Sequence, residues 1–200
     1  AAVKAVTDAE ADTGNAINLD TDFTVTVSDT GSVAASDLTA VSLKTTNLIT
    51  ATGVTTITGT ANQVATLISD EGDSGDKVNL AANVAATVTG EATAADLTTI
   101  NNGTTGLITA TGVKTITGTA AAVKAVIDAE ADTGNAINLD TNFLVTLSAG
   151  SAAATDLSTI NTETSGLVTA TNVTNITGTV AAVKAVTDAE ADTGNAINLA

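Results

Sequence analysis

Histidine, cysteine, methionine, proline, arginine, tryptophan and tyrosine are all absent from this chain of 200 residues. Without histidine and cysteine, the usual general base, the thiolate nucleophile and the soft metal ligands are missing. Without cysteine there is no disulfide framework and no sign of redox compartment. Aromatics are reduced to Phe23 and Phe143. A globular core usually leans on bulky rings, whereas a core of Ala, Val, Ile and Leu suits a thin, regular layer. Lysine supplies all six cations against 22 acids, for a net charge of −16. Such a surface repels nucleic-acid phosphates and anionic membranes. No apolar run approaches the length of a membrane span. Residues 1–20 lack the charged start and apolar core of a signal peptide, and no initiator Met is present.

What is present is repetition, the first thing to seek in such a chain. AAVKAVTDAEADTGNAINL fills 1–19 and again 181–199, and a copy with Ile127 in place of Thr fills 121–139. A diverged copy, NQVATLISDEGDSGDKVNL, fills 62–80. Between these lies a second block: TNLITATGVTTITGT at 46–60, TGLITATGVKTITGT at 105–119 and SGLVTATNVTNITGT at 165–179. The full period is about sixty residues and splits into two similar halves. Each half reads as a helix, a short strand, a corner and a second short strand. The physical unit is therefore a coil of about thirty residues in two alternating flavours.

Single positions carry this pattern. Ile17, Leu48, Val78, Leu107, Ile137, Leu167 and Ile197 recur as large aliphatics. Phe23, Val54, Val84, Val113, Phe143 and Val173 recur as a second apolar row. Rows of this kind are expected where each coil stacks on the last with one side chain pointing inward. Thr60, Thr119, Thr179, Ser32 and Ser151 occupy N-cap positions before Ala-rich helical runs. Val123, Val126 and Ile127 share one helix face, and Ala154, Leu157 and Ile160 share another. Gly14, Gly134, Gly194, Gly106 and Gly166 stand as C′ glycines, with Asn47 at the equivalent place.

These features predict an α/β fold: an αβ-solenoid of helix–strand–strand coils with parallel sheets. Residues 1–200 form a single repeat array of six to seven coils, with no separate domains or linker. Stacked strands want about 4.8 Å between coils and packed helices about 8–10 Å, so the array curves or becomes superhelical. Alanines at 120–122, 152–154 and 181–182 let neighbouring helices approach closely.

The DAEADTGNAINL and LITATGVTTITGT blocks resemble the long tandem repeats of large cyanobacterial surface or secreted proteins. The resemblance covers the whole chain. It implies an extracellular or cell-surface location and a structural or adhesive role, and it transfers no catalytic residue. The near-duplication of 1–20 by 181–200 also resembles a trimmed or engineered repeat array.

Three sets of residues are candidates for chemistry. The first is the acidic segment Asp128, Glu130, Asp132, with copies Asp8, Glu10, Asp12 and Asp188, Glu190, Asp192. It resembles the start of a calcium loop, but the twelfth position is Leu139, where a bidentate Glu belongs. On a helix, Asp128 and Asp132 share a face while Glu130 points elsewhere. Copies two coils apart lie about 16–20 Å from one another at ordinary helix spacing, too far for one ion to bridge. The bland reading is a solvated acidic face, although acids near a helix C-terminus oppose the dipole.

The second set is a column of Thr26, Thr58, Thr87, Thr117, Thr146 and Thr177, of the kind that ice-binding β-solenoids use. It requires Val25, Ile57, Ala86, Ile116, Val145 and Ile176 to face inward, with a one-residue bulge between Val54 and Ile57 and their equivalents. A companion column of Thr24, Thr56, Ala85, Thr115, Leu144 and Asn175 is interrupted in half its places. The bland reading is that Thr suits an exposed strand. The third set is Asn18, Asn79, Asn138 and Asn198, in a place held elsewhere by Ile49, Ile108 and Val168. These either bond to backbone in a corner or face solvent.

The many Ser and Thr residues have no histidine base, and no S-x-x-K occurs. The reading is therefore non-enzymatic, with no cofactor, no metal and no assigned site residue. The expected role is a structural or spacer segment of a longer surface protein. The alternative is a binding module for calcium or for a surface such as ice. The expected partners are neighbouring repeats of a longer chain, with self-association end to end or head to head through open strand edges.

Overall fold

The computed structural model describes residues 2–10, 17, 19–71, 77–130, 137–190 and 197–200. Among them are seven helices: α1 (Ala2–Glu10), α2 (Ala35–Ser42), α3 (Ala61–Glu71), α4 (Ala94–Gly103), α5 (Ala120–Glu130), α6 (Ala154–Glu163) and α7 (Val180–Glu190). Short strands run between them. The early ones are β1 (Val25–Thr26), β2 (Ser32–Ala34), β3 (Ile49–Thr50), β4 (Thr56–Thr60), β5 (Val78–Asn79) and β6 (Ala85–Thr93). The later ones are β7 (Ile108–Gly118), β8 (Ile137–Leu139), β9 (Leu144–Leu147), β10 (Gly150–Ala153), β11 (Val168–Thr169), β12 (Val173–Thr177) and β13 (Ile197–Asn198).

Every strand pair among the described residues is parallel, and no sheet closes into a barrel. An eight-stranded sheet runs β13-β11-β9-β7-β6-β4-β2, with β8 also on β7. β1-β3-β5 and β10-β12 form two smaller sheets. Each helix packs on the next in sequence, from α1 on α2 to α6 on α7. The core lies between helices and strands. Val123, Val126 and Ile127 of α5 are buried, as are Ala154, Leu157 and Ile160 of α6, so both expected helix faces point inward.

The register corrects one expected row. Ile49 pairs with Val78, Ile108 with Ile137 and Val168 with Ile197. These six are buried, whereas Leu48, Leu107 and Leu167 are 44%, 52% and 43% exposed, and Ile17 is exposed too. The strands beginning at Ile49, Ile108 and Val168 follow a second aliphatic directly, and a one-residue slip turns a side chain to the opposite face. Adjacent aliphatics leave that choice open, and the corner before them makes it. The second row holds its place: Val54, Val84, Val113 and Phe143 are buried, and Phe23 and Val173 are packed against the core with part of their surface exposed.

The bulge expected between the two inward positions is present. Gly90 pairs with Val113 and Glu91 with Thr115, which leaves Lys114 as the extra residue. Gly150 pairs with Val173 and Ser151 with Asn175, which leaves Thr174 extra. Near Ile57, the amides of Thr55 and Thr56 both donate to the Gly31 carbonyl.

The ladders do not run straight. One path passes Val33, Ile57, Ala86, Ile108 and Ile137. A second passes Ala92, Ile116, Val145, Val168 and Ile197. Both paths drift backwards along the sixty-residue period. β6 and β7 cause the drift, because each spans two strand positions and pairs with different neighbours at its two ends.

Two expected cap sets also need correction. Thr60, Thr119 and Thr179 accept from the amides of Gln63, Ala122 and Ala182, as N-caps do. Ser32 and Ser151 do not cap: they lie in β2 and β10, and α2 and α6 start after Ala34 and Ala153 with no side-chain cap bond. The added strand moves the helix start two residues on. Gly106 and Gly166 are not left-handed C′ residues either. α4 ends at Thr104 in an extended conformation. A Cβ on Gly106 would sit 2.4 Å from the Val84 carbonyl oxygen, and one on Gly166 would sit 2.2 Å from that of Phe143. These glycines let one corner press against the backbone of an earlier one. Gly14, Gly134 and Gly194 lie outside the described residues.

Candidate functional surfaces

The acidic segments close on the protein's own groups. Asp8, Asp128 and Asp188 meet Lys4, Lys124 and Lys184 one helical turn back, at 2.7, 2.7 and 2.6 Å. The hydrogen bond to Asp128 raises the Lys124 pKa above its ordinary value, and Asp8 does the same for Lys4. Glu130 accepts from the Leu139 amide at 3.1 Å, and Glu71 accepts from the Leu80 amide at 3.2 Å. Each glutamate ties the end of its helix to the strand that follows. That gives a reason for acids at helix C-termini, where the dipole alone would disfavour them. Asp12, Asp132 and Asp192 lie outside the described residues, as does the side chain of Glu10.

A cleft of about 400 Å³ beside α5 and α6 is lined by Asp128, Glu130, Asp140 and Glu163 among others. Asp140 is paired with Lys114 at 3.2 Å. No three acids among the described residues converge closely enough to hold a metal ion.

The threonine column takes a different course from the expected one. Thr58 stands beside Thr87 and Thr117 beside Thr146, as the sequence suggests. Thr87, however, neighbours Thr109 rather than Thr117, and Thr26 neighbours Thr50. The outward rows are therefore Ala34–Thr58–Thr87–Thr109–Asn138 and Thr93–Thr117–Thr146–Thr169–Asn198. Thr177 stands beside Ala153, and Thr24 lies outside the strands. The companion column breaks likewise: Thr56 neighbours Ala85, Thr115 neighbours Leu144, and Asn175 neighbours Ser151.

The same registers relocate the asparagines. Asn79, Asn138 and Asn198 stand beside Thr50, Thr109 and Thr169, not in the inward place of Ile49, Ile108 and Val168. All three are exposed, which selects solvent over a backbone corner. Asn18 lies outside the described residues.

Sequence reasoning missed another set of threonines. Thr45, Thr104 and Thr164 are buried. Each donates to a carbonyl about twenty residues earlier, that of Phe23, Val84 or Phe143, at 2.5 Å. Each also accepts from the amide two residues on, that of Asn47, Gly106 or Gly166. The available signal was Thr two residues before Gly106 and Gly166, in a chain where Thr is everywhere.

Comparison of the chain with family models, with curated proteins and with solved structures finds no match. No helix among the described residues is long and apolar enough to cross a membrane.

Proposed function

We propose that this chain is a length of αβ-solenoid, a single curved or superhelical array, serving as a spacer that extends or presents other parts of a longer surface or secreted protein. It works without catalysis, cofactor or nucleic acid, and its partners are the repeats on either side. The observation that carries the reading is that near-identical sequence takes identical neighbours. Ile57 stands between Val33 and Ala86, and Ile116 stands between Ala92 and Val145 in the same register. A stack built on such offsets accepts further units without redesign.

The test is to lengthen it. Inserting one further copy of residues 61–120 should increase the maximum dimension in small-angle X-ray scattering by a fixed increment, and a second copy should repeat that increment. Copies that form a separate lobe, or leave the dimension unchanged, sink the reading. Calcium or ice as ligand makes a different prediction. A ligand that binds only the folded chain raises its melting temperature. A spacer should melt identically with and without millimolar calcium and should show no thermal hysteresis.

A further inference from the structure

We infer that two copies of this chain join head to tail, with β1 of one copy extending the ladder at β12 of the other in a fixed register. The inference rests on the stacked reading proposed above, and it names the partner surface that reading leaves open.

The two edges are complementary halves of one interior arrangement. β6 and β9, the counterparts of β1, each have a partner on both edges; β1 pairs only with β3. β4 and β7, the counterparts of β12, are also flanked on both sides; β12 pairs only with β10. The strand missing from β12 is thus of the β9 kind, and the strand missing from β1 is of the β7 kind. Side chains at these edges show the same deficit. Ile57 and Ile116 are fully buried, whereas Ile176 is partly exposed. Phe143 is 1% exposed, whereas its counterpart Phe23 is only partly covered.

The register follows from the interior. Ile116 pairs with Val145 and Thr117 with Thr146. Across the junction, Ile176 therefore takes Val25 of the second copy, and Thr177 takes Thr26.

One helix must give way. In the interior, α5 alone fills the space between β7 and β9. At the junction that space is claimed by α7 of the first copy and by α1 of the second, which share the sequence AVKAVTDAE apart from the first residue of α7. Either serves, so the junction is an exchange: α7 of one copy replaces α1 of the other between α6 and α2. Both copies are strongly acidic, so association tightens with salt.

Two measurements test this. The first uses proline in the full-length chain. Ala5→Pro breaks α1 and should lower the concentration for half-association, read by sedimentation, by about tenfold or more. Ala185→Pro breaks the equivalent turn of α7 and should abolish association. Effects of the same sign, or a wild-type chain that stays monomeric at millimolar protein and high salt, overturn the inference. The second uses cysteines, which the chain otherwise lacks. Thr26→Cys with Thr177→Cys should oxidise to covalent oligomers, because neighbouring parallel strands place Cα atoms within disulfide reach. Thr24→Cys with Thr177→Cys, two residues out of register, should not. A disulfide that closes between the two introduced thiols within one molecule overturns the inference. Thr117→Cys with Thr146→Cys reports separately on the interior. If that pair closes and the junction pair does not, head-to-tail joining fails while the stack stands; if neither closes, the stacked reading falls as well.

Discussion

The smallest decisive unit is the corner made by Thr104 and Gly106. The hydroxyl satisfies the Val84 carbonyl and the Gly106 amide together, and the missing Cβ of Gly106 lets the two backbones meet. Replacing Thr104 by Val keeps the shape and leaves those groups without the hydroxyl. The expected cost is about 1–3 kcal/mol in urea unfolding. Thr105→Val, at an exposed neighbour, should cost less than half of that. Gly166→Ala forces the Phe143 backbone to move and should cost about 1–3 kcal/mol or more. None of this was legible from sequence, because the partner of Thr104 lies in a segment some twenty residues away. The lysine–aspartate pairs are legible by spacing, and their pH behaviour follows from sign. Lys124 has its pKa raised in the folded chain by the bond to Asp128. Any stability it contributes is complete at neutral pH and is lost as pH rises through the raised value, above 10.5. Unfolding of Lys124→Gln and wild type should therefore differ at neutral pH and converge in strong alkali.

Helix starts separate what sequence can reveal from what it cannot. Thr119 is a legible cap, because it precedes an Ala-rich run and its hydroxyl meets the third amide. Ser151 has the same local signature but lies in β10, where its register partner is Asn175. The difference lies in the strand that the second flavour of unit inserts before its helix, and that strand is fixed by its neighbour β12 rather than by local propensity. Thr119→Ala should cost about 1 kcal/mol, while Ser151→Ala should stay within about 0.5 kcal/mol, both by thermal or urea melting. α3 carries a reciprocal version: Thr60 accepts from the Gln63 amide, and the Gln63 side chain accepts from the Thr60 amide. The spacing was visible in the sequence as Thr60-Ala61-Asn62-Gln63. The glutamate clips were not, because Glu130 and Leu139 are brought together only when helix and strand pack.

At the scale of the molecule, the period was legible and the drift was not. Repeating aliphatics announce that windows lie over one another, but they do not say that β6 and β7 each span two strand positions. That property sets the oblique ladders, and through them it breaks the flat threonine column that an ice lattice needs. It also makes position along the array matter more than residue identity. Ile116 and Ile176 sit at equivalent places in the second sequence block. Ile116 is flanked by Ala92 and Val145 and is fully buried; Ile176 has only Ala152 beside it and is partly exposed. Ile116→Ala removes three carbons from a closed site and should cost about 2–5 kcal/mol. Ile176→Ala removes the same atoms from an open one and should cost less than half as much, since the cost follows the cavity left behind. Chemical denaturation of the two variants at low protein concentration measures that gap. A fold in which each window were independently stable would give equal losses. Raising protein and salt concentration covers Ile176 wherever copies join, so the gap should then narrow for Ile176→Ala while the loss from Ile116→Ala stays fixed.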